Sequence, residues 1–540
     1  MKEFNTTGTC FPKKHYMVDI GERLEVIKSL IDDGKYFCIN RGRQYGKTTT
    51  LDALADYLGN DYTVFSISFE GDGDSMFASP AAVFAGFFQK LAFEVEFCEG
   101  LNLSDQLREF FKASNFDAVH AMELVQFRKS VATLCKKSDK PIVILIDEVD
   151  QAGNYDSFIK FLGALREMYL KREKLPTFRS VILAGVYDIK NLKLKIRDEN
   201  EHQYNSPWNI AAPFDYDMSL SEKGIAGMLA DYENDHHTGM DVAAIAKLLR
   251  EYTSGYPFLV SRLCQLMDEQ NGKLKIENGE LRIGDGETVA GWNREGFLKA
   301  VKLLLKEKNT LFDDMTKKID QFPKMKQMLA DVLYYGRRIS FVRDLKEHEL
   351  AAMFNIIVEE NGLVKIHNRI FETRLYNLFT GEVESESRLF IEAGIEKPQF
   401  IKPDHSLDMP LILKRFSETF NEIYGDRDAR FLEDEGRRYF MLYIKPIING
   451  VGNYYIEPET RDGLRADMVI DYLGRRYVIE MKIWRGNSYN ERGEKQLTEY
   501  LDRFQVETGY MVSFSFNKMK APGLQPPIKI GERTIIEALV

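Results

Sequence analysis

The chain has 540 residues, of which 44% are hydrophobic and 29% are charged, and its formal net charge is −10. This composition excludes a largely disordered chain, and the length allows about three or four globular domains. No stretch approaches the ~20 apolar residues of a membrane span and no signal peptide is evident, so we expect a cytoplasmic protein without a membrane partner. The five cysteines are scattered without metal-type spacing, which predicts free thiols.

The first informative element is a strand, loop and helix pattern near the N-terminus. The apolar run Tyr36–Ile39 precedes Arg41-Gly-Arg-Gln-Tyr-Gly-Lys-Thr-Thr49, and a helical pattern follows over Leu51–Leu58. Such a loop presents backbone N–H groups and the positive end of the helix dipole to an anion. Lysine in this pattern reaches the β- and γ-phosphates, and the next hydroxyl binds Mg²⁺. The predicted nucleotide-binding residues are Arg41, Gly42, Gly46, Lys47, Thr48 and Thr49.

The loop departs from the pattern G-x-x-x-x-G-K-[ST] at its first position, where Arg41 stands and the glycine is displaced to Gly42. The alternative interpretation is a basic turn before a core helix. A second segment favours the nucleotide site: an unbroken apolar run leads to Asp147 and Glu148, as in a strand buried on both faces of a parallel sheet. Ligands of open α/β sheets sit at this carboxyl edge, so Asp147 is expected to hold Mg²⁺ and Glu148 to polarise an attacking water.

Further strand-like runs at Val64–Phe69 and Ser180–Gly185 alternate with helical patterns. This alternation predicts an α/β P-loop core with a parallel sheet over residues 1–215. Helical patterns then predict a small lid over residues 216–305. Within the lid, Ser254-Gly-Tyr-Pro257 is expected to open a helix, which places Gly255 and Pro257 as candidates near the nucleotide.

Residues 306–385 are predicted to form a winged-helix-like domain. Helical patterns precede the segment Ile356–Ile366, in which Asn361-Gly362 separates two β-rich runs and marks a hairpin. Domains of this kind bind DNA or act as packing or regulatory modules, and both alternatives stay open. A polar stretch containing three prolines predicts a linker over residues 386–410.

Residues 411–540 carry a second group of chemically suggestive side chains on a predicted antiparallel hairpin. Asp467 lies on its first strand, while Glu480 and Lys482 share one face of its second strand. Burying these charges in an apolar sheet costs several kcal/mol unless they are paired or bind metal. We favour phosphodiester cleavage, in which Asp467 and Glu480 bind Mg²⁺ and Lys482 stabilises the charged transition state. The net negative charge does not exclude a local basic face for nucleic acid.

Two helical patterns flank this hairpin. The first, Glu433–Tyr443, offers Glu435 as an accessory carboxylate, with Glu433 as the competing choice and a solvated acidic helix start as the plain alternative. The second places Gln496 and Tyr500 one turn apart on one helix face, an arrangement that by itself is typical of an ordinary helix surface.

The order of these C-terminal elements, over Leu411–Phe516, resembles the PD-(D/E)XK nuclease superfamily and particularly its RecB-like members. The resemblance implies an α/β restriction-endonuclease-like domain. It assigns Asp467 and Glu480 as metal ligands, Lys482 as the catalytic lysine and Glu435 as an accessory acid. It also places Gln496 and Tyr500 near the DNA. The proline that names the motif is replaced by Ala466, at a position that varies in the superfamily.

The N-terminal two-thirds is similar to bacterial AAA-like ATPases related to archaeal-type and STAND P-loop ATPases. Three motifs carry this likeness: the arginine-rich loop Arg41–Thr48, the Walker B segment Leu145–Glu148 and the Gly-x-Pro motif Gly255–Pro257. The resemblance implies ATP and Mg²⁺ as cofactors. In this family an arginine-rich loop is usual, so Arg41 is a less unusual departure from the glycine of the P-loop pattern. No arginine finger can be assigned from it.

Two functional hypotheses follow. The first is a Mg²⁺-dependent nuclease whose activity the ATP site regulates, with nucleic acid, most simply DNA, as partner and with a homo-oligomer as one possible assembly. The second is a STAND-like signalling switch in which the nuclease-like domain only binds a partner or nucleic acid.

Overall fold

The computed structural model describes residues 2–98, 103–186, 208–271, 275–277, 280–282, 291–334, 337–384, 387–424, 433–448, 452–456, 468–483, 494, 497–502, 506–515 and 522–540. The chain divides into two compact units. The first unit comprises Met1–Phe297, Asn309–Met315 and Glu349–Ile356, and the second comprises Leu298–Lys308, Thr316–His348 and Ile357–Val540. The predicted domain boundaries do not follow this division and stay predictions.

The first unit is organised around a four-stranded parallel sheet. Its strands are β1 (Phe37–Asn40), β2 (Thr63–Ser68), β3 (Ile142–Asp147) and β4 (Ser180–Gly185). They pair in the order β1-β4-β3-β2, and every pairing is parallel. All residues of β3 and β4 are buried, as continuous apolar runs predict for strands covered on both faces. The predicted parallel sheet is therefore confirmed.

Helices surround this sheet and extend into the residues predicted to form the lid. Their bounds are α1 (Gly21–Asp32), α2 (Lys47–Leu58), α3 (Asp74–Phe77), α4 (Pro80–Phe97), α5 (Asp105–Ser114), α6 (Leu124–Lys137), α7 (Val149–Ala152), α8 (Asp156–Leu170), α9 (Glu222–His236), α10 (Val242–Thr253) and α11 (Pro257–Asn271). Local sequence explains several starts. Ser79 caps α4 by accepting a hydrogen bond from the backbone N–H of Ala82, directly before Pro80, and Asp241 caps α10 in the same way.

A short hairpin, β5 (Lys275–Glu277) and β6 (Glu280–Arg282), follows the lid helices. The next helices are α12 (Arg294–Lys306), α13 (Thr310–Gln321), α14 (Pro323–Tyr334) and α15 (Lys346–Met353). The expected hairpin then forms from β7 (Ile357–Glu360) and β8 (Leu363–Ile366). Its two turn residues, Asn361 and Gly362, have φ of 52° and 77°, the positive values that make Asn-Gly favourable in such a turn.

The stretch predicted as a linker is folded. After α16 (Arg369–Glu384), the helix α17 (Arg388–Glu396) and a 3-10 helix (Lys397–Phe400) occupy much of residues 386–410. Ser387 caps α17, and Leu389 and Ala393, one turn apart, are buried. This apolar stripe outweighs the polar composition from which an irregular linker was expected.

The second unit ends in a mixed sheet preceded by α18 (Met409–Tyr424) and α19 (Glu433–Ile448). Its strands are β9 (Gly452–Ile456), β10 (Met468–Tyr472), β11 (Arg475–Ile483), β12 (Thr508–Phe514), β13 (Gly523–Leu524), β14 (Ile528–Ile530) and β15 (Arg533–Leu539). The order is β13-β15-β12-β11-β10-β9, with β14 also on β15. The pairs β11–β12 and β12–β15 are parallel, whereas the others are antiparallel.

Helical residues cover both faces of this sheet. On one face Val478, Met511 and Ile535 pack with Leu497, Tyr500 and Leu501 of the helical segment 497–502. On the other, the ring of Phe514 lies 5.6 Å from that of Phe420 on α18. Since side chains alternate along a strand, Glu480 and Lys482 share the face of Val478.

Candidate functional site: a phosphate-binding loop and its neighbours

The loop between β1 and α2 carries two residues in the left-handed region. Gln44 has φ of 55° and Gly46, directly before the first residue of α2, has φ of 81°. Nothing lies within 4 Å of a Cβ built on Gly46, so glycine is favoured there by backbone conformation rather than by lack of space. The Gly46 carbonyl accepts hydrogen bonds from the N–H and the hydroxyl of Thr50, at 3.0 and 2.8 Å. The loop therefore enters the helix with its backbone fixed.

Lys47 is buried, with 7% of its surface exposed. Its Nζ donates to the carbonyl oxygens of Arg41 and Gly42, at 3.0 and 3.1 Å. Burial lowers the pKa of the Lys47 ammonium, and nearby carboxylates, of which Asp150 is the strongest, oppose that shift. The positive charge is thus held inside the loop by carbonyl oxygens on one side and by acidic groups on another.

Thr48 and Asp147 meet directly, although 99 positions separate them in the sequence. The Thr48 hydroxyl donates to Asp147 Oδ2 at 2.6 Å, and the N–H of Glu148 donates to Asp147 Oδ1 at 2.9 Å. Thr48 is exposed while Asp147 is 6% exposed. A hydroxyl and a carboxylate oxygen in contact match the hard oxygen donors that Mg²⁺ takes from a P-loop protein alongside phosphate oxygens and water.

Glu148 lies just beyond the carboxyl end of β3, in the left-handed region with φ of 51°. It is half-buried, and burial raises the pKa of its carboxyl group, with Lys47 opposing the rise and Asp147 and Asp150 adding to it. Asp150 follows in α7 and accepts a hydrogen bond from the N–H of Val186, at the end of β4. The acidic end of β3 is thereby tied to the neighbouring strand.

The side chain of Arg41 lies against the segment that follows the first sheet. Its guanidinium donates to the carbonyl oxygens of Asn40 and Tyr216, at 2.8 and 2.5 Å, and stands 5.7 Å from the ring centre of Phe214. Burial lowers the pKa of Arg41. Arg41 therefore braces the loop through its side chain, and its expected contact with nucleotide stays a prediction.

Thr49 faces the N-terminal segment, where its hydroxyl accepts a hydrogen bond from the N–H of Cys10 at 3.1 Å. At the next position of α2, Thr50 accepts a hydrogen bond at 3.0 Å from Arg23, a residue of α1 that is 6% exposed. Thr49 and Thr50 thus anchor the start of α2 to two other elements. The predicted nucleotide contact of Thr49 is likewise untested.

The Gly-x-Pro segment reaches the loop through its middle residue. Gly255 has φ of 72° and its carbonyl accepts a hydrogen bond from the N–H of Leu220 at 2.8 Å, while Pro257 begins α11 as expected. The Tyr256 hydroxyl donates to the carbonyl of Arg43, and its ring meets that of Tyr45 edge-on at 4.7 Å. Tyr256, which sequence reasoning did not select, connects the start of α11 to the loop.

The geometry of this site agrees with what sequence comparison finds. Residues 14–324, more than half of the chain, match the family model of the AAA-like domain. This chain belongs to the AAA-like domain family. No curated protein sequence is similar to it. The matched residues of this AAA-like protein contain the parallel four-stranded sheet and the loop 41–49, and they form a P-loop ATPase-like domain.

Several solved structures are similar to the AAA-like chain at low sequence identity. The Walker-type ATPase PABY2304 of Pyrococcus abyssi is 14% identical, with a TM-score of 0.43, over 69% of this chain and 99% of its own. The Aeropyrum pernix ORC2 protein, solved as ADPNP and ADP complexes, is 10% identical, with a TM-score of 0.32, over 70% of this chain and 98% of its own. Aeropyrum pernix ORC1, solved in complex with DNA, is 12% identical, with a TM-score of 0.28, over 68% and 94%.

The C-terminal candidate site lies beyond the matched residues and is described only in part. Glu480 is fully buried on β11, and its Oε1 lies 2.8 Å from Lys482 Nζ. Asp467 and Gln496 fall outside the described residues, as does the side chain of Glu435, whose backbone belongs to α19. Tyr500, which the nuclease resemblance assigned to the DNA side, is 1% exposed.

Two features are absent from the described part of the AAA-like chain. It contains no group of three or more His, Cys, Asp or Glu side chains arranged to hold a metal ion. Among its helices, none combines the length and the apolar character needed to cross a membrane.

Proposed function

We propose that the protein binds and hydrolyses ATP with Mg²⁺ at the loop 41–49. The observation that carries this proposal is the 2.6 Å contact between the Thr48 hydroxyl and Asp147, because these two groups belong to the two motifs that share the metal in P-loop ATPases. Mg²⁺ held by Thr48 and Asp147 would neutralise negative charge on the β- and γ-phosphates. Lys47 supplies a second positive charge, and Glu148 orients the attacking water and accepts its proton.

The test is Lys47→Ala, with Lys112→Ala on the exposed surface of α5 as the matched loss of a lysine. Calorimetry should detect Mg²⁺-ATP binding, and phosphate release should show turnover, for the wild type and Lys112→Ala. Lys47→Ala should lose both while keeping its thermal unfolding midpoint. If Lys47→Ala binds and hydrolyses ATP as the wild type does, the loop is not the nucleotide site.

We further propose that residues 411–540, which belong to the second unit, form a Mg²⁺-dependent nuclease domain regulated by the nucleotide state, with DNA as the first substrate to test. Support comes from the charged pair Glu480 and Lys482, whose Oε1 and Nζ lie 2.8 Å apart, with Glu480 fully buried. A buried ion pair is often no more stabilising than apolar side chains of the same size. A catalytic role is therefore a reason for the sheet to contain this pair. β10, beside β11, begins at Met468, the residue that follows Asp467 in the sequence. In this proposal Asp467 and Glu480 hold the metal, and Lys482 stabilises the negative charge of the transition state at the scissile phosphate.

One observation favours a second candidate function. Glu480 is fully buried and its Oε1 lies 2.8 Å from Lys482 Nζ, so its carboxylate is already paired with a cation. A STAND-like switch, whose nuclease-like domain only binds a partner or nucleic acid, fits this arrangement. It predicts nucleotide-dependent homo-oligomers, slow turnover and no polymer cleavage.

Glu480→Gln separates the two functions. The amide keeps the size of the side chain, and Lys482, which is partly exposed, can turn toward water. Lys529→Ala, an exposed lysine on β14, is the control. Labelled single-stranded DNA, duplex DNA and RNA would be incubated with Mg²⁺, with and without ATP. Cleavage by the wild type and Lys529→Ala but not by Glu480→Gln supports the nuclease. No cleavage by any of them, with ATP-dependent oligomers in light scattering, supports the switch.

A further inference from the structure

A side chain from far along the chain is bonded to the phosphate-binding loop. The amide oxygen of Asn355 accepts a hydrogen bond from the backbone N–H of Gly42 at 2.7 Å, across 313 positions of sequence. Both residues belong to the first unit, which includes Glu349–Ile356 although Ile357 onward belongs to the second. Gly42 is buried and Asn355 is half-buried.

Asn355 is held in place by the end of α15. The N–H of Asn355 donates to the carbonyl of Ala352 and that of Ile356 donates to Ala351, each at 2.9 Å. Asn355 has φ of 56°. This pair of bonds around a left-handed residue is the Schellman arrangement that closes many helices, and asparagine is one of the few residues other than glycine that adopt it readily. The amide is therefore presented to the loop by a fixed backbone.

The approach of this helix end also explains the displaced glycine of the loop. A Cβ built on Gly42 would lie 2.9 Å from Asn355 Oδ1 and 3.1 Å from the carbonyl oxygen of Phe354. At these distances a side-chain carbon on residue 42 would push Asn355 away and break the 2.7 Å hydrogen bond. Position 42 thus requires glycine for space, whereas position 41 accepts an arginine whose side chain points to Tyr216.

The bond from Asn355 reaches Lys47 through a single peptide group. The N–H of the peptide between Arg41 and Gly42 donates to Asn355, and the carbonyl of the same peptide accepts a hydrogen bond from Lys47 Nζ at 3.0 Å. Hydrogen bonds at the two ends of one amide strengthen each other because each polarises it. The rotation of this peptide, and with it the position of the Lys47 ammonium, is fixed from both sides.

We infer that Asn355 is a positioning residue of the nucleotide site: it orients the Arg41–Gly42 peptide, which in turn holds Lys47 where phosphate is bound. This inference rests on the proposed ATP binding. By linkage, a contact that favours phosphate binding is itself favoured by the bound phosphate. Nucleotide therefore strengthens the docking of residues 349–356, the last residues of the first unit before the chain enters the second.

The experiment compares Asn355→Gly, Asn355→Asp and His237→Gly. Glycine keeps the left-handed backbone and removes the amide, while aspartate keeps an acceptor oxygen at the same place. His237 is an exposed residue that ends α9 with φ of 51°, so its change to glycine controls for the backbone alone. Calorimetry with Mg²⁺ and the non-hydrolysable analogue AMP-PNP gives affinity, and hydrogen exchange follows the amides of residues 349–356.

Asn355→Gly should bind the analogue about threefold to tenfold more weakly, the effect of one hydrogen bond. It should also lose the protection that the analogue confers on residues 349–356 in the wild type. Asn355→Asp should retain that protection, and His237→Gly should match the wild type in both measurements. If the wild type binds the analogue but Asn355→Gly does so with equal affinity and equal protection, the inference is wrong while ATP binding stands. If the wild type binds no analogue, the proposed function itself fails.

Discussion

The hydroxyl of Thr48 donates a hydrogen bond to the carboxylate of Asp147 at 2.6 Å, which joins the start of α2 to the end of β3. Removing either group should disable metal-assisted hydrolysis. We expect Thr48→Ala to lower kcat by roughly a hundredfold, the usual cost of losing one group that stabilises the transition state, while Thr48→Ser keeps most activity. Phosphate release at saturating Mg²⁺-ATP measures both variants. Equal rates for alanine and serine would show that the hydroxyl has no role in turnover.

Glu148 sets a pH dependence. Burial raises the pKa of its carboxyl group above the ordinary 4.5, so the carboxylate that accepts a proton in hydrolysis is lost as pH falls through a value higher than 4.5. The acid limb of kcat/KM against pH should therefore lie above pH 4.5, and Glu148→Gln should give a low rate without this limb. We use kcat/KM because its pH dependence reports the free enzyme, in which burial raises this pKa. An acid limb at or below pH 4.5 would contradict the assigned role.

Tyr256 should contribute to nucleotide affinity although it lies in the lid. Tyr256→Phe removes the hydrogen bond to the carbonyl of Arg43 and keeps the ring contact with Tyr45. Loss of one such bond is worth about 0.5–1.5 kcal/mol, so the Kd for Mg²⁺-ATP should rise several-fold with little change in fold. Tyr57→Phe, at an exposed tyrosine of α2, is the control in the same titration. Equal Kd values for the two variants would show that the Tyr256 hydroxyl does not contribute to nucleotide binding.

Gly255 and Gly239 allow a matched test of backbone strain against close packing. Their φ values are 72° and 76°. A Cβ on Gly255 would collide with the carbonyl oxygen of Leu220, whereas nothing lies within 4 Å of one on Gly239. Gly255→Ala should lower the free energy of unfolding by about 2–4 kcal/mol, from strain and overpacking together. Gly239→Ala should lower it by about 1 kcal/mol. Urea denaturation distinguishes them, and equal losses would mean that position 255 has room to relax.

The ion pair of β11 predicts a stability effect that is independent of nuclease activity. Lys482→Ala removes the ammonium that lies 2.8 Å from the fully buried Glu480 carboxylate, and breaking such a buried ion pair should cost about 3–5 kcal/mol. The double variant Glu480→Leu with Lys482→Met fills the space with apolar groups and should recover most of that loss. Chemical denaturation of the single and double variants provides the comparison, with Lys529→Ala as control. A single variant as stable as the wild type would contradict the expected cost of breaking this buried ion pair.

Local patterns in the sequence predicted much of the first unit. Ser180–Gly185 is a strand with the predicted bounds, and the apolar run before Asp147 is buried throughout, because continuous hydrophobic segments have few stable alternatives to a covered sheet. The contact between Thr48 and Asp147 follows from topology, since both lie at the carboxyl edge of parallel strands.

Contacts between distant segments were beyond sequence reasoning. Nothing in the residues around Asn355 marks a partner 313 positions away, because the pairing depends on how a helix end packs against a loop. Tyr256 was part of a recognised motif, but its hydroxyl donates to the backbone carbonyl of Arg43. Because every residue has such a carbonyl, the sequence does not indicate which one the hydroxyl contacts. The helix α17 was not predicted within the polar stretch because its buried positions, Leu389 and Ala393, are few beside its charges.

The first unit is not a continuous segment of the chain. This affects both where the chain can be truncated and when the unit can complete its folding during synthesis. The family match ends at Lys324, but the first unit draws in Glu349–Ile356. A shortened protein that stops at Lys324 would lack Asn355 and would leave the loop at Gly42 without that partner. During synthesis, domains tend to fold as they emerge from the ribosome. Here the phosphate-binding loop is made early, yet it cannot acquire its last contact until more than 350 residues have been translated.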